Sequence, residues 1–287
     1  MARTRAELEA PLRLRPHDHV GWCYEGRDRF DHVALPYLAE GLERNQLVCY
    51  VTDDPSLERL RPLGDVERLL GRGSLFVSSV DEAYGGLRDP RAGAAVIVDF
   101  ARGANERGFA GVRSAMDVTS AIRRAGLDRW IEWERIADAA IAAHSVVALC
   151  AFDRARLDPA TVGLLTSVHP AVSGGHGASP FRVFTEDGVV HVCGSVDAFS
   201  APQFAQVLRA SPIDEVLVVD VSATEFLNHS ALFALHRIAA SGVPVVLRHA
   251  RAVHRYLWEL LELPAVDLRF EELGPDLSPV AHGDGSG

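Results

Sequence analysis

Glu134 and Asp138 stand four residues apart in the run from Trp130 to Asp138 (WIEWERIAD), a spacing that sets both carboxylates on one face of a helix. Two ionised carboxylates so placed repel each other, so the pair is solvated, tied to arginine, or a ligand site. Arg113 and Asp117 have the same spacing within Gly108 to Ala121. If that segment is helical they share a face, either as an ion pair orienting the helix or as part of a pocket. His19 and His169 add imidazoles, which titrate near neutral pH. Together His19, Arg113, Asp117, Glu134, Asp138 and His169 form a candidate pocket for a small molecule; the alternative is an enzyme cleft in which they supply acid–base chemistry. There is no G-x-S-x-G and no cysteine–histidine signature, and Cys150 in its apolar run reads as core. His17, His19, Cys23 and His169 are the metal constellation the spacing offers. Strand rise would separate His17 from Cys23 by about 20 Å, so no metal ligand, no catalytic residue and no cofactor is assigned.

These groups lie in a chain of 287 residues, 48% hydrophobic, enough for one large or two medium domains with real cores. All 29 basic residues are arginine. The absence of lysine excludes a Schiff-base nucleophile, a pyridoxal phosphate anchor and a Walker A loop. A net charge of −10 argues against nucleic acid and anionic membrane as partners. Cys23, Cys49, Cys150 and Cys193 lie far apart and read as buried thiols in a reducing compartment. The most apolar stretch, Ala94 to Val98, stops at Asp99, far short of a membrane span. The expectation is a cytoplasmic protein.

The glycine-, serine- and proline-rich run from 172 to 180 (VSGGHGASP) reads as a linker between domains spanning 15–171 and 181–273, and 274–287 as a disordered tail. In the first domain His19 to Tyr24, Leu47 to Thr52, Leu75 to Ser78, Ala94 to Phe100 and Val146 to Phe152 read as buried strands. A helix carries Phe30, Val33, Ala34, Tyr37, Leu38 and Leu42, with a kink expected at Pro36. Asp128 is a plausible cap for a second helix whose face holds Trp130, Trp133, Ala137, Ala140 and Ile141. Strands alternating with helices imply a mostly parallel, covered sheet. In the second domain Phe181 to Thr185 and Val189 to Cys193 read as a hairpin, followed by strands Glu215 to Asp220 and Val243 to Arg248 around a helix from Asn228 to Ala240. A last helix carries Val253, Tyr256, Leu257, Leu260 and Leu261 as a core-facing stripe.

Two resemblances follow from these blocks. The order GSVD (Gly194 to Asp197), VLVVDVSATEF (Val216 to Phe226) and LNHSAL (Leu227 to Leu232) resembles the STAS family of anti-sigma-factor antagonists. It implies a small mixed-sheet α/β domain that binds an anti-sigma factor or a histidine-kinase-like serine kinase through Asp197, Asp220, Ser222, Asn228, His229 and Ser230. His229 occupies the position of that family's phosphorylated serine, Asn228 replaces its aspartate and Ala231 its glycine. A phospho-switch therefore moves to Ser230 or is absent, and Asn228 with Ser230 can equally be a plain helix cap. HVGWCYE (His19 to Glu25), GFAGVRSAMDVTSA, WIEWERIAD, ALCAFD (Ala148 to Asp153) and VHP (Val168 to Pro170) resemble the MEDS sensory domain, which implies a RecA-like, mostly parallel sheet without nucleotide-binding motifs and a role in sensing hydrocarbon derivatives. The combined expectation is a signalling protein in which a sensor biases an output domain and thereby transcription or a stress response. An enzyme, a constitutive scaffold with a lost switch, and an assembly of identical copies stay open.

Overall fold

The computed structural model describes residues 3–11, 13–85, 89–174, 177–211 and 215–272. The expected tail, 274–287, lies outside them. Seven parallel strands build the first sheet: β1 (Glu7–Leu8), β2 (His19–Tyr24), β3 (Leu47–Thr52), β4 (Leu75–Ser79), β5 (Val112–Asp117), β6 (Val146–Asp153) and β7 (Ala171–Ser173), in the order β1-β7-β2-β6-β5-β3-β4. Val172 and Ser173, at the start of the glycine-rich run, thus belong to this sheet. Parallel strands need crossovers, and helices on both faces supply them. These are α1 (Arg27–Glu43), α2 (Val66–Gly71), α3 (Val80–Tyr84), α4 (Pro90–Glu106), α5 (Thr119–Ala125), α6 (Leu127–Ala143) and α7 (Pro159–Ser167). Because side chains alternate along a strand, Val147, Leu149 and Ala151 of β6 join Phe30, Ala34, Tyr37 and Leu38 of α1 in one cluster. Val146 and Ala148 face the other way and pack with Ala101 and Ala104 of α4 and Ile141 of α6.

The second sheet contains β8 (Phe181–Glu186), β9 (Val189–Val196), β10 (Leu217–Leu227), β11 (Val245–Ala250) and β12 (Leu268–Glu272), ordered β12-β11-β10-β9-β8. The hairpin β8–β9 is antiparallel and the other pairs are parallel. Three helices cross over: α8 (Ala201–Arg209), α9 (His229–Ala240) and α10 (Ala252–Leu260). The fold is therefore α/β, a parallel sheet followed by a smaller mixed one, as the sequence implies.

Four local expectations are corrected. The apolar run Ala94 to Phe100 is the middle of α4, not a strand: Asp89 caps it, Pro90 opens it, and Ala94, Ala101 and Ala104 are its buried side. A run that short fits either period, and the capping residues decide it. The strand that fills this place in the sheet is β5, which carries Arg113 and Asp117, so neither lies on a helix. Asp128 does not cap α6; Gly126 holds that position, and Asp128 accepts a hydrogen bond from Gln206 of α8. On α10 the stripe points outward, with Val253, Tyr256 and Leu260 exposed and Leu257 and Leu261 half-buried. Helix α1 runs through Pro36 as a single element.

One apolar cluster joins the two sheets: Trp130, Ile131, Val162 and Leu165 from α6 and α7 with Phe181, Val183, Phe204 and Val207 from β8 and α8. At its centre Arg135 of α6 is fully buried and donates to Val183 O (2.8 Å), Thr185 Oγ1 (2.8 Å) and Ser211 Oγ (3.1 and 3.2 Å). Burial lowers its guanidinium to about 10, while nearby Asp138 opposes that fall and Arg3 adds to it. Arg135→Met keeps the apolar stem and strands three buried acceptors, so it is expected to lower stability by about 2–4 kcal/mol. Urea unfolding measures this, and an unchanged midpoint would show that the two sheets do not depend on this contact.

Candidate functional site

The even-numbered positions of β6 put Cys150 on the sheet face toward α6, and the register pairs Gly21 of β2 with Cys150 and His19 with Ala148. His19 and Cys150 are thereby brought together, with Nε2 to Sγ at 3.4 Å. Above them α6 presents Glu134 and Asp138, one turn apart and both buried. Trp130, one turn earlier, donates Nε1–H to Glu134 Oε1 at 2.8 Å. That bond leaves Glu134 Oε2 facing His19 Nε2 at 3.4 Å and His169 Nε2 at 3.6 Å. His169 follows α7, and its Nδ1 lies 2.7 Å from Leu165 O, which assigns the proton to Nδ1. Its ring occupies the space above Gly21, where a Cβ would stand 2.8 Å from His169 Nδ1. Glycine is required there for the histidine to seat.

Asp138 binds in three directions. It pairs with Arg3, accepts from His19 Nδ1 (3.1 Å), and accepts the Thr185 N–H of β8 (3.1 Å). Arg3 also donates to His17 O (2.8 Å) and Thr185 O (3.3 Å). Burial opposes ionisation of Asp138, but Arg3 and the hydrogen bond from His19 outweigh it and hold its pKa well below the usual carboxylate range. Glu134 is likewise lowered, burial being overcome by His169 and His19. Burial disfavours a charged His19, yet Cys150, the hydrogen bond to Asp138 and the facing Glu134 carboxylate raise it well above the ordinary imidazole value. His169 goes the other way: burial and the neighbouring His19 charge lower it to about 4. Burial, reinforced by Glu134, raises the Cys150 thiol to about 11. Burial and neighbouring charge thus push the two imidazoles in opposite directions, His19 up and His169 down.

His19, Glu134 and Cys150 form the polar end of a cavity of about 620 Å³ between the sheet and helices α3, α4 and α6. Its remaining wall is mostly apolar, with Val51, Phe76, Ile97, Phe100, Met116 and Trp133. The size and lining suit a small molecule that is largely apolar and carries one polar or soft group. Another cavity, of about 560 Å³, lies at the junction with α8 and is walled by Arg91, Asp128, Glu132 and Arg209.

Of the six residues expected in the pocket, four gather here: His19, Glu134, Asp138 and His169. Arg113 and Asp117 do not. They point to the opposite face of the sheet, where Arg113 lies over Tyr37 (4.7 Å) and bonds Gln46 (2.8 Å), Glu40 (3.3 Å) and Leu14 O (3.0 Å). Asp117 instead accepts from Thr119 N and Oγ1 at 3.2 and 2.7 Å. The metal constellation is also different. His17 and Cys23 are not in it; the ligand atoms of His19, Glu134, Cys150 and His169 all lie within 4.8 Å of one another. Cys150 was expected to be plain core, and the signal that marks it is the β2–β6 register, which places it beside His19.

In the second domain Asn228 caps α9, accepting from Ser230 N (3.0 Å) and Ala231 N (3.2 Å). His229 is exposed and Ser230 half-buried. Asp197 caps the turn into α8 through Ser200 and Phe199, and Asp220 accepts from exposed Ser222 (2.8 Å) and from His249 (3.0 Å). Asp220 and Ser222 lie within the long strand β10, not at its end.

The first domain is thus a parallel α/β domain with a cavity that ends on buried imidazole, thiol and carboxylate groups. The profile of the MEDS family, described as the MEthanogen/methylotroph, DcmR Sensory domain, matches residues 18–170, and the chain belongs to that family. Its first domain is a sensory domain. No match to the STAS family accompanies the second, mixed-sheet domain. No curated protein matches the chain. Among the described residues no helix is long and apolar enough to cross a membrane.

Two outcomes test this geometry. His169 is neutral when folded down to about pH 4, whereas an unfolded histidine takes up its proton near 6.5. The unfolded state therefore binds the extra proton between these values, and stability present above pH 6.5 is lost as pH falls toward 4, by at most about 1.4 kcal/mol per pH unit from this group. Urea unfolding in a chelating buffer should show that slope, and His169→Gln should flatten it; equal slopes would contradict a buried neutral His169. Gly21→Ala is expected to push His169 off Leu165 O and cost about 1–3 kcal/mol, read by unfolding and by the His169 imidazole NMR signals. Unmoved signals would refute the close approach.

Proposed function

We propose that this chain is a two-domain signalling protein: its MEDS domain takes a small, largely apolar molecule into the cavity above His19, and its second domain, acting as a STAS-type output, passes the state to a partner protein. The observation that carries this reading is the position of Asp138. One carboxylate holds His19 at the polar end of the cavity and accepts the Thr185 N–H at the first strand of the second domain. A ligand that moves His19 must change the hydrogen bonds of β8, and a bias of about 1–3 kcal/mol is enough to alter partner affinity several-fold or more. The output half of the reading is supported by exposed His229 beside half-buried Ser230 at the start of α9. The partner class is an anti-sigma factor or a histidine-kinase-like serine kinase, the consequence altered transcription or stress response, and the setting the cytoplasm, with no turnover of its own.

An enzyme is the second reading, favoured by one observation: fully buried carboxylates and imidazoles with opposed titrations gather at the cavity end, as in acid–base sites. The cavity contains its own reporter, Trp133. Titrating the full chain with short-chain alcohols, thioethers and haloalkanes is expected to change tryptophan fluorescence saturably, and Ile97→Trp, which fills the cavity, to abolish the response. A flat response to every probe, or an unaffected filled variant, sinks the sensor reading. Conversion of a probe that stops with His19→Gln establishes the enzyme instead.

A further inference from the structure

We infer that the polar end of the cavity is a metal site, in which His19 Nε2, His169 Nε2, Cys150 Sγ and one oxygen of Glu134 hold a single divalent ion of the zinc class. Ligands bound to zinc at about 2.0–2.3 Å in a tetrahedron lie roughly 3.3–3.8 Å from one another. The contacts observed are 3.4 Å for His19 to Cys150, 3.4 Å for His19 to Glu134 and 3.6 Å for His169 to Glu134. All four ligand atoms fall within 4.8 Å of one another.

Glu134 Oε2 and His169 Nε2 are buried and have no hydrogen-bond partner, and orphaned buried polar atoms cost about 1–3 kcal/mol each. Both are aimed into the same space. His19 Nδ1 is held by Asp138, His169 Nδ1 by Leu165 O, and the other Glu134 oxygen by Trp130. Each ligand is thus turned by a fixed neighbour so that its remaining lone pair converges, which is how metal-binding histidines are oriented.

Binding balances in charge and protons. Four coordinate bonds form and the Cys150 S–H bond breaks, its proton leaving to solvent with no change of oxidation state; His19 binds through an unprotonated Nε2, its proton on Nδ1 held by Asp138. The Cys150 thiolate and the Glu134 carboxylate match the ion's two positive charges, and Arg3 pairs with Asp138. Two imidazoles, a thiolate and a carboxylate suit zinc or cobalt better than magnesium or calcium, which prefer oxygen. His19, Glu134 and Cys150 line the cavity, which gives the ion a way in. The inference stands whatever organic molecule the cavity accepts.

The test uses the full chain, stripped with chelator and titrated with Co²⁺ alone. The expected result is one cobalt per chain, intense tetrahedral visible bands and a near-ultraviolet thiolate charge-transfer band. Cys150→Ser should lose that charge-transfer band and weaken binding at least tenfold, and His169→Asn should weaken it at least tenfold, whereas Cys193→Ser should change nothing. Circular dichroism checks that each variant is folded, and X-ray absorption on the zinc-loaded wild type, expected to show one sulfur among four ligands, decides the matter if a variant is not. No uptake, a weak octahedral spectrum without the thiolate band, or binding indifferent to both ligand variants overturns the inference.

Discussion

The structure turns on one buried carboxylate. Asp138 has no exposure, and an isolated charge there would cost several kcal/mol. It is sustained because three groups from distant parts of the chain converge on it: the Arg3 guanidinium, His19 Nδ1 and the Thr185 N–H. Each belongs to a different part of the fold, the first to the segment before β1, the second to the interior strand β2 and the third to the edge strand of the other sheet. Removing any one leaves the others around an under-compensated charge, so sensor site and second domain share a single electrostatic anchor.

The parity of the strands explains why this anchor adjoins a cavity. On β6 the odd positions Val147, Leu149 and Ala151 complete the aliphatic and aromatic layer against α1, while Val146, Ala148 and Cys150 face α4 and α6. Small residues on that side, with Ser114 on β5, leave the volume that larger side chains would fill. The polar end is then set by α6, whose 3.6-residue period brings Trp130, Glu134 and Asp138 onto one line. Arg135, adjacent in sequence but rotated by about 100°, turns to the second domain instead. One helix therefore serves the sensor site on one side and the domain junction on the next.

Much of this was legible in the sequence. Strands β2 and β3 are continuous apolar runs covered on both faces, and their bounds are those read from composition alone. The Glu134–Asp138 pair shows itself through its spacing, and His19 and His169 through residue type. What stayed hidden depends on long-range register or on tertiary compensation. β5 is broken by Arg113, Ser114 and Asp117, which look like a helical or loop pattern until Gln46, Glu40 and Leu14 O are seen to pair the buried guanidinium. Cys150 becomes a site residue only through the pairing of β6 with β2, which no local pattern reveals. The outward turn of the α10 stripe is of the same kind: Val253, Tyr256 and Leu260 have core spacing, but the buried position on α10 is His254, and Trp258 packs on Phe270 of β12.

The arrangement around Arg3 also bears on how the molecule is made. Arg3 joins segments far apart in the chain: its partners are Asp138, 135 positions on, and Thr185 O, 182 positions on. During synthesis the sensory domain can be fully translated while β8 is still inside the exit tunnel, and its central carboxylate then lacks one of its three donors. Consolidation of the amino-terminal half must wait for the carboxy-terminal half, so the nascent chain acquires its final rigidity as one unit.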